Sequence, residues 1–371
     1  MSMEKKVLLY CSSLTKGGTE RVVTNLAEFM KSQGISVTIV TQYQLENEYI
    51  LPVGIHRIIS EITDTEKKNG RIGNFFARYR KLRGIWKEQK PDCILSFIGK
   101  NNIMAVGAAL FTGIPVIVSV RGEPKCEYFS SALRFLAKTI FSFSSGVIVQ
   151  TDEAMKFFPP YIRKKAVILK NPLNPSFIRP RFEGKRDGSI VSVGRVDSNK
   201  NHEMIIRAFN KVTEEFPRAS LTIYGEGECR TKLQELTKKL GISDRVCLPG
   251  MVTDVSEKIY RSSIFVLSSN SEGMPNALLE AMCLGIPCIS TDCPCGGPGE
   301  LIEDGKNGFL IPVGDVDALA DRLRTLLSDE EMAERMGNQA ARLSKIYNPD
   351  NVNREWLTYL LSKMGEKTCV E

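Results

Sequence analysis

The stretch IFVLSSNSEGMPNALLEAMCLGIPCIST, residues 264–291, decides how this chain folds. IFVLSS is a short apolar run of strand length, ALLEAM is strongly helix-forming, and PCIST reads as a strand again. Strand, helix and strand in that order make one βαβ unit. Between the first two lies a loop in which Glu272 stands eight positions before Glu280, with Gly273 and Pro275 between them. Pro275 fits the first helical turn, where a missing N–H costs nothing. Glu280 then falls about a turn and a half into the helix. A loop carboxylate and a helix carboxylate would flank a helix N-terminus, whose free amides attract phosphate. That describes a site for a ligand carrying both hydroxyls and phosphates. The plain alternative is an ordinary solvent-facing helix start.

The same alternation runs through the chain. KVLLYC, ISVTIVT, DCILSF, VIVSV, GVIVQT and AVILK are strand-like in the first half. SIVSVG, SLTIYG, RVCLPG, IFVLSS, PCIST and GFLIP are strand-like in the second. Helical patterns such as TERVVTNLAEFMKSQ and EMIIRAFNKVTEEF lie between them. Continuous apolar strands alternating with amphipathic helices predict parallel sheets covered on both faces. The pattern breaks at NPLNPSFIRPRFEGKRDG, residues 171–188. A chain of 371 residues also exceeds what one core usually serves. The expected fold class is therefore α/β, with two Rossmann-like doubly wound domains, 1–175 and 176–350. Residues 351–371 are expected to form a C-terminal helix packing back on the first domain. Ligands in such folds bind beyond the carboxyl ends of the strands, so the cleft between the domains is the expected site.

Composition excludes several functions. The apolar share of 42% and charged share of 25% are those of an ordinary soluble globular chain. The opening MSMEKKVLLYCSS has an apolar run far too short for export. The ten scattered cysteines are thus read as free thiols in a reducing cytoplasm. Cys283, Cys288, Cys293 and Cys295 crowd together but lack the C-x2-C spacing of a zinc knuckle. With only His56 and His202, a histidine metal site or a Ser–His–Asp triad is not expected. Ile103–Val120 carries no charge over eighteen residues, yet the TGIP turn at 112–115 splits it into a helix and a strand. In DVD, residues 315–317, the aspartates open a helix as cap and dipole partners, not as metal ligands.

Three loops complete the picture. SSLTKGGTER (12–21) places Gly17 and Gly18 ahead of a helix, where paired glycines let the backbone approach a ligand. SVGRVDSNKNH (192–202) offers Gly194, Arg195 and Lys200 at a strand end. A guanidinium fork and an ammonium point charge there suit a diphosphate, or else form a solvated loop. YGEGE (224–228) begins like a dinucleotide fingerprint but lacks its third glycine.

Taken together, GGTER at 17–21, GR…K at 194–200, YGEGE at 224–228, LPG at 248–250 and EGMPNALLE at 272–280 resemble the retaining glycosyltransferases of family 4. STDCPCGGPGELI at 290–302 and NGFLIPVGD at 307–315 look like this family too. The resemblance implies the two-domain GT-B fold and a nucleotide-sugar donor held mainly by the second domain. It implies that Arg195 and Lys200 neutralise the diphosphate and that Glu280 takes the ribose hydroxyls. Glu272, with the backbone at Gly273, Met274, Pro275 and Asn276, would hold sugar hydroxyls and phosphate. Gly18 would let the first domain close over the diphosphate, and Leu248, Gly250 and Met251 would form part of the base pocket. The implied chemistry retains the anomeric configuration, relies on fixed cations at the leaving group and needs no divalent metal or other cofactor. The resemblance to relatives with MPNALLEAM-like segments implies a UDP-hexose or UDP-N-acetylhexosamine as the donor. The chain departs from many relatives after its fifth strand, where VRGEP stands in place of a histidine; Arg121 is expected there as a substrate contact. An epimerase, a hydrolase or a silent binding protein on the same fold are the alternatives.

The acceptor is read from charge. Residues 1–175 hold 25 Lys and Arg against 14 Asp and Glu, a net +11, whereas residues 176–371 net −4. The excess concentrates in KKNGRIGNFFARYRKLRGIWKEQK. Ile72, Phe75, Phe76, Tyr79, Leu82 and Trp86 form one helical stripe expected to pack on the first sheet. Arg78, Arg80, Lys81, Arg83 and Lys87 surround it and can rest on anionic lipid. No nucleic-acid motif accompanies the charge. A cytoplasmic enzyme, peripheral on the membrane's inner face and acting on a glycan or polyprenyl-diphosphate-linked acceptor, suits both observations.

Overall fold

The computed structural model describes residues 5–67 and 70–365, so Lys68 and Asn69 of the basic segment, Cys369 and the end of the expected C-terminal helix lie outside the described residues. The chain forms two compact units, Met1–Asn171 with Asp350–Glu371, and Pro172–Pro349. The first holds seven parallel strands: β1 (Lys6–Cys11), β2 (Ser36–Thr41), β3 (His56–Ile59), β4 (Cys93–Phe97), β5 (Val116–Ser119), β6 (Gly146–Val149) and β7 (Ala166–Ile168), in the order β3-β2-β1-β4-β5-β6-β7. The second holds six: β8 (Ser189–Val193), β9 (Ser220–Tyr224), β10 (Val246–Gly250), β11 (Ile264–Leu267), β12 (Cys288–Thr291) and β13 (Phe309–Ile311), in the order β10-β9-β8-β11-β12-β13. In both sheets the order reverses beside the unit's first strand, the arrangement of a doubly wound sheet.

Alternation within each strand explains why both faces are covered. Ile190 and Val266 pack with Ile205, Phe209, Leu319 and Leu323 on one side of the second sheet. Their neighbours Val191, Phe265 and Leu267 pack with Leu278, Leu279 and Met282 on the other. β3 is the strand that apolar patterning misses. It is a half-exposed edge strand whose Arg57 is bound by Glu48 at 2.6 Å. The uncharged run 103–120 divides as expected into the Gly99–Ala109 helix and β5. Among the described residues no helix is long and apolar enough to cross a membrane.

The helix Pro349–Met364 completes the first unit. Val352, Trp356 and Leu360 enter the core that contains Leu9, Leu95 and Ile117, and the Trp356 ring stacks on Phe97 at 6.3 Å. Trp356 Nε1 donates to Lys170 O at 2.8 Å. At Gly146 a Cβ would lie 2.3 Å from the Tyr359 hydroxyl, so the glycine makes room for this helix.

The stripe on the helix Gly70–Gln89 is buried only in its second half. Leu82 and Trp86 are buried, with Trp86 edge-on to Tyr10 at 5.7 Å. Ile72, Phe75 and Phe76 are 77%, 47% and 57% exposed, which corrects the expected packing. Twenty residues of helix span about 30 Å, whereas a five-residue strand covers about 17 Å. The first two turns therefore overhang the sheet. The basic face is also partly occupied: Arg78 donates to the Tyr43 hydroxyl, Lys81 to Glu61 O, and Arg83 to Ala108 O and Leu110 O.

Candidate active site

In the second unit the loops after β8, β9, β10, β11 and β12 meet at the carboxyl edge of the sheet. Hydrogen bonds tie the first of them to the fourth. Asn199 Nδ2 donates to Ser271 O at 2.9 Å, Asn270 N to Asn199 O at 2.8 Å, and Ser268 Oγ to Lys200 O at 2.7 Å. The loop after β11 is also stapled to the loop after β12. Glu272 N donates to Pro294 O at 2.6 Å, and Cys295 N donates to Glu272 O at 2.9 Å. Glycines set the spacing. A Cβ on Gly297 would lie 1.5 Å from Gly273 O, and one on Gly225 would lie 1.8 Å from Gly194 O. Gly225 also has φ +146°, which an L side chain rarely adopts. The glycines of YGEGE thus let the β8 and β9 loops interlock, a role the incomplete fingerprint conceals.

These loops bring the expected charged groups together unevenly. Lys200 Nζ meets Glu272 Oε1 at 2.5 Å, and the Ser269 hydroxyl donates to the same oxygen at 2.5 Å. Both members of the pair are largely shielded. Asp197 Oδ1 accepts from Lys200 N at 3.0 Å, shaping the turn that aims the lysine. Arg195 is different: its side chain is 80% exposed and its ion pair with Asp197 is long, at 3.4 Å. Glu280 lies in the second turn of the helix Asn276–Cys283 and is 5% exposed. Its charge, after burial, pushes the Cys283 thiol well above the usual range. Pro275 stands one residue ahead of the helix, as its N-cap, not inside the first turn as expected.

His202, absent from the expected set, opens the helix His202–Asn210 directly behind Lys200. Burial and then the Lys200 charge lower its pKa from 6.5 to about 4, against the pull of Asp197. It is therefore neutral at physiological pH. The loop after β10 is held by Gly225 N donating to Gly250 O at 2.9 Å and by Arg230 donating to Leu248 O at 2.7 Å. Met251 beside it is 58% exposed. Asp315 caps the helix Val316–Ser328 by accepting from Ala318 N at 2.9 Å. Among the described residues no group of three or more His, Cys, Asp or Glu is placed to hold a metal, and Cys11, Cys93, Cys229, Cys247, Cys283, Cys288 and Cys293 are free thiols.

In the first unit, Gly17 is the N-cap of the helix Gly18–Ser32, and a Cβ there would lie 2.3 Å from Glu20 Oε2. Arg121, expected to touch substrate, is 7% exposed. Its guanidinium donates to Asn171 Oδ1 and lies 5.5 Å over the Trp356 ring. Glu127 accepts from Gly99 N at 2.8 Å, Arg121 N at 2.7 Å and Gly122 N at 2.6 Å. That loop is thus braced from within its own unit, with one guanidinium nitrogen of Arg121 turned to Asn171.

Residues 16–176 match the family model described as Glycosyltransferase Family 4, and residues 176–343 match the model Glycosyl transferases group 1. A Campylobacter jejuni protein is 30% identical over 96% of this chain and 100% of its own length. It is named N-acetylgalactosamine-N,N'-diacetylbacillosaminyl-diphospho-undecaprenol 4-alpha-N-acetylgalactosaminyltransferase. The chain belongs to glycosyltransferase family 4. A second Campylobacter jejuni relative of this glycosyltransferase is an alpha-1,4-N-acetyl-D-galactosaminyltransferase named for a diphospho-undecaprenol glycan. It is 26% identical over 95% of this chain and 97% of its own length. Among solved structures, Anabaena HepE in complex with UDP superposes with a TM-score of 0.81 at 18% identity, over 96% of this chain and 100% of that one. Sucrose-phosphate synthase from Thermosynechococcus elongatus does so with a TM-score of 0.81 at 15% identity, over 97% and 99%. These superpositions give the glycosyltransferase its GT-B fold.

Proposed function

We propose that this glycosyltransferase moves a hexose or N-acetylhexosamine, with retention, from a UDP-sugar to a glycan on a polyprenyl diphosphate in cell-surface polysaccharide synthesis. The observation that carries the reading is the Lys200–Glu272 pair, fixed where the loops after β8 and β11 meet. An ammonium has three protons; one goes to Glu272, and the others are available to diphosphate oxygens. Charge growing on the departing UDP would be met by Lys200 and by the exposed fork of Arg195, which lowers the barrier without any proton transfer from the protein. Glu272, oriented by Lys200 and Ser269, would accept hydroxyls of the donor sugar. Glu280, eight residues on and within the helix, would accept the ribose hydroxyls. Met251 and the backbone at Gly250 would line the base. The acceptor's proton passes to the leaving diphosphate, so no metal and no separate base is required. The two Campylobacter jejuni relatives, whose names carry diphospho-undecaprenol glycans, support the acceptor class, and the UDP in HepE supports the nucleotide.

The experiment is transfer from radiolabelled UDP-N-acetylgalactosamine, UDP-N-acetylglucosamine and UDP-glucose to a detergent-dispersed polyprenyl-diphosphate glycan. Donor-dependent labelling of the acceptor with α stereochemistry is expected. Release of free sugar or epimer with no labelled acceptor would overturn the reading.

A further inference from the structure

Six phenylalanines are markedly exposed among the described residues, at 75, 76, 111, 129, 135 and 143, and all lie in the first unit between residues 75 and 143. Topology sorts them. The helices Gly70–Gln89, Gly99–Ala109 and Ser131–Phe141 each follow a strand of a parallel sheet, so all three begin at its carboxyl edge. The first and third both pack against the second, which lies between them. Ile72, Phe75 and Phe76 occupy the overhanging turns of the first helix. Phe129, Phe135 and Leu136, at 66%, 75% and 41% exposure, occupy the start of the third. One rim thus carries six exposed apolar side chains, whereas Phe111 and Phe143 lie at the opposite ends of their helices.

The charge around that rim is mainly positive. Residues 70–143 contain twelve Lys and Arg and four Asp and Glu. Of the four acids, Glu88 and Asp92 lie at the far end, Glu127 is turned onto three backbone amides, and Glu123 accepts from the Cys126 thiol beside Lys125. Exposed cations remain among the rings: Lys100 Nζ stands 5.5 Å over Phe129, and Lys125 and Arg80 point to solvent. Behind the overhang, Lys67 holds Glu61 and Asp64. Scattered exposed apolar residues need no explanation, but six of them at one edge of a unit, set among cations, mark an interaction surface.

We infer that this rim inserts into the surface of an anionic phospholipid bilayer. The rings enter the interface between headgroups and acyl chains, and Lys100, Lys125 and Arg80 meet lipid phosphates. Cationic residues complement a negative membrane, while they would repel their own copies in a symmetric dimer. The docking site is therefore the overhang, with Arg80 beside it, and the start of the Ser131–Phe141 helix; Arg78, Lys81 and Arg83 are excluded because they bind groups of their own unit. The inference rests on the lipid-linked acceptor reading only for its purpose: docking by this rim brings the carboxyl-edge loops of the unit to the leaflet holding such an acceptor.

The test is co-sedimentation of the full chain with vesicles of phosphatidylcholine containing phosphatidylglycerol, against vesicles of phosphatidylcholine alone. Phe75→Ser, Phe76→Ser and Phe135→Ser combined should lower partitioning to the anionic vesicles by about tenfold or more, on the scale of lost apolar insertion. Phe111→Ser with Phe143→Ser should leave it unchanged, and Lys100→Glu with Lys125→Glu should abolish the preference for anionic lipid. Transfer to detergent-dispersed acceptor should be equal in all variants. Equal vesicle binding by the triple variant, or an equal loss in the Phe111/Phe143 variant, would overturn the surface. So would a wild-type dimer that the triple variant converts to monomer. Absence of transfer in detergent would instead fault the acceptor reading and leave the vesicle result standing by itself.

Discussion

Lys200 Nζ lies 2.5 Å from Glu272 Oε1, a pairing across 72 positions that locks the loop after β8 to the loop after β11. Two opposite charges at a strand-edge site are thereby held ready and mutually compensated before any ligand arrives. A diphosphate entering beside Lys200 would strengthen the lysine's role without leaving Glu272 uncompensated, because one ammonium serves both.

Lys200→Ala is expected to lower turnover at least about tenfold, the usual scale of a lost transition-state contact. It also strands a largely shielded carboxylate, so a cost of about 1–3 kcal/mol in stability should accompany it. Arg195→Ala should lower turnover similarly with stability changed by no more than about 0.5 kcal/mol, as befits an exposed side chain. Steady-state kinetics beside chemical denaturation check both, and normal turnover in either variant counts against that residue's assignment.

Gly297→Ala should be far worse than its one methyl suggests. The new Cβ would sit 1.5 Å from Gly273 O and 3.0 Å from Pro275 Cδ, so the 272–276 backbone must move. A loss above about 2 kcal/mol is expected, with donor affinity falling in parallel. Thermal unfolding with and without UDP reads both, and an unchanged midpoint would refute the close approach.

His202 predicts a pH effect. Its pKa is depressed from 6.5 to about 4 in the folded chain, so the unfolded chain takes up the proton first as pH falls. Its influence is nil above pH about 6.5 and grows destabilising toward pH about 4, reaching about 3 kcal/mol. His202→Gln should flatten the stability profile across that window. Urea titrations at several pH values measure the slope, and identical slopes for both proteins would dispose of the claim.

If Lys200 and Arg195 supply the positive charge at the leaving diphosphate, transfer should survive EDTA. Complete loss that manganese or magnesium restores would show that metal participates.

The fold is legible because a doubly wound sheet is written in long apolar strands, and each strand predicted from such a run is present. β3 escapes because an edge strand half open to solvent needs no apolar run. Of the charged residues singled out in the sequence, Lys200 and Glu272 are brought together where two strand-end loops join, whereas Arg195 stays exposed and Glu280 is buried in its helix. The site is illegible where geometry sets the role. Gly225 and Gly297 matter for what lies within 2 Å of an absent Cβ, which no spacing announces. Arg121 is expected as a substrate contact because it replaces a histidine at a strand end; in the structure one guanidinium nitrogen donates to Asn171 and the group lies over Trp356, which the sequence pattern does not reveal. The aromatic stripe misled in a similar way: periodicity shows that residues share a helix face but not how far the sheet beneath extends.

The helix Pro349–Met364 also constrains how the protein is made. Trp356 and Leu360 belong to the core of the unit whose strands leave the ribosome first. That unit must therefore wait, with Phe97 and the groove beside Gly146 uncovered, until about 180 further residues have been synthesised. Pro172–Pro349 contains all of its own sheet and can close meanwhile. Nascent chains stalled before residue 350 should accordingly engage holdase chaperones through their older half, and a C-terminal truncation that removes Trp356 should be lost to aggregation and not merely slowed in catalysis.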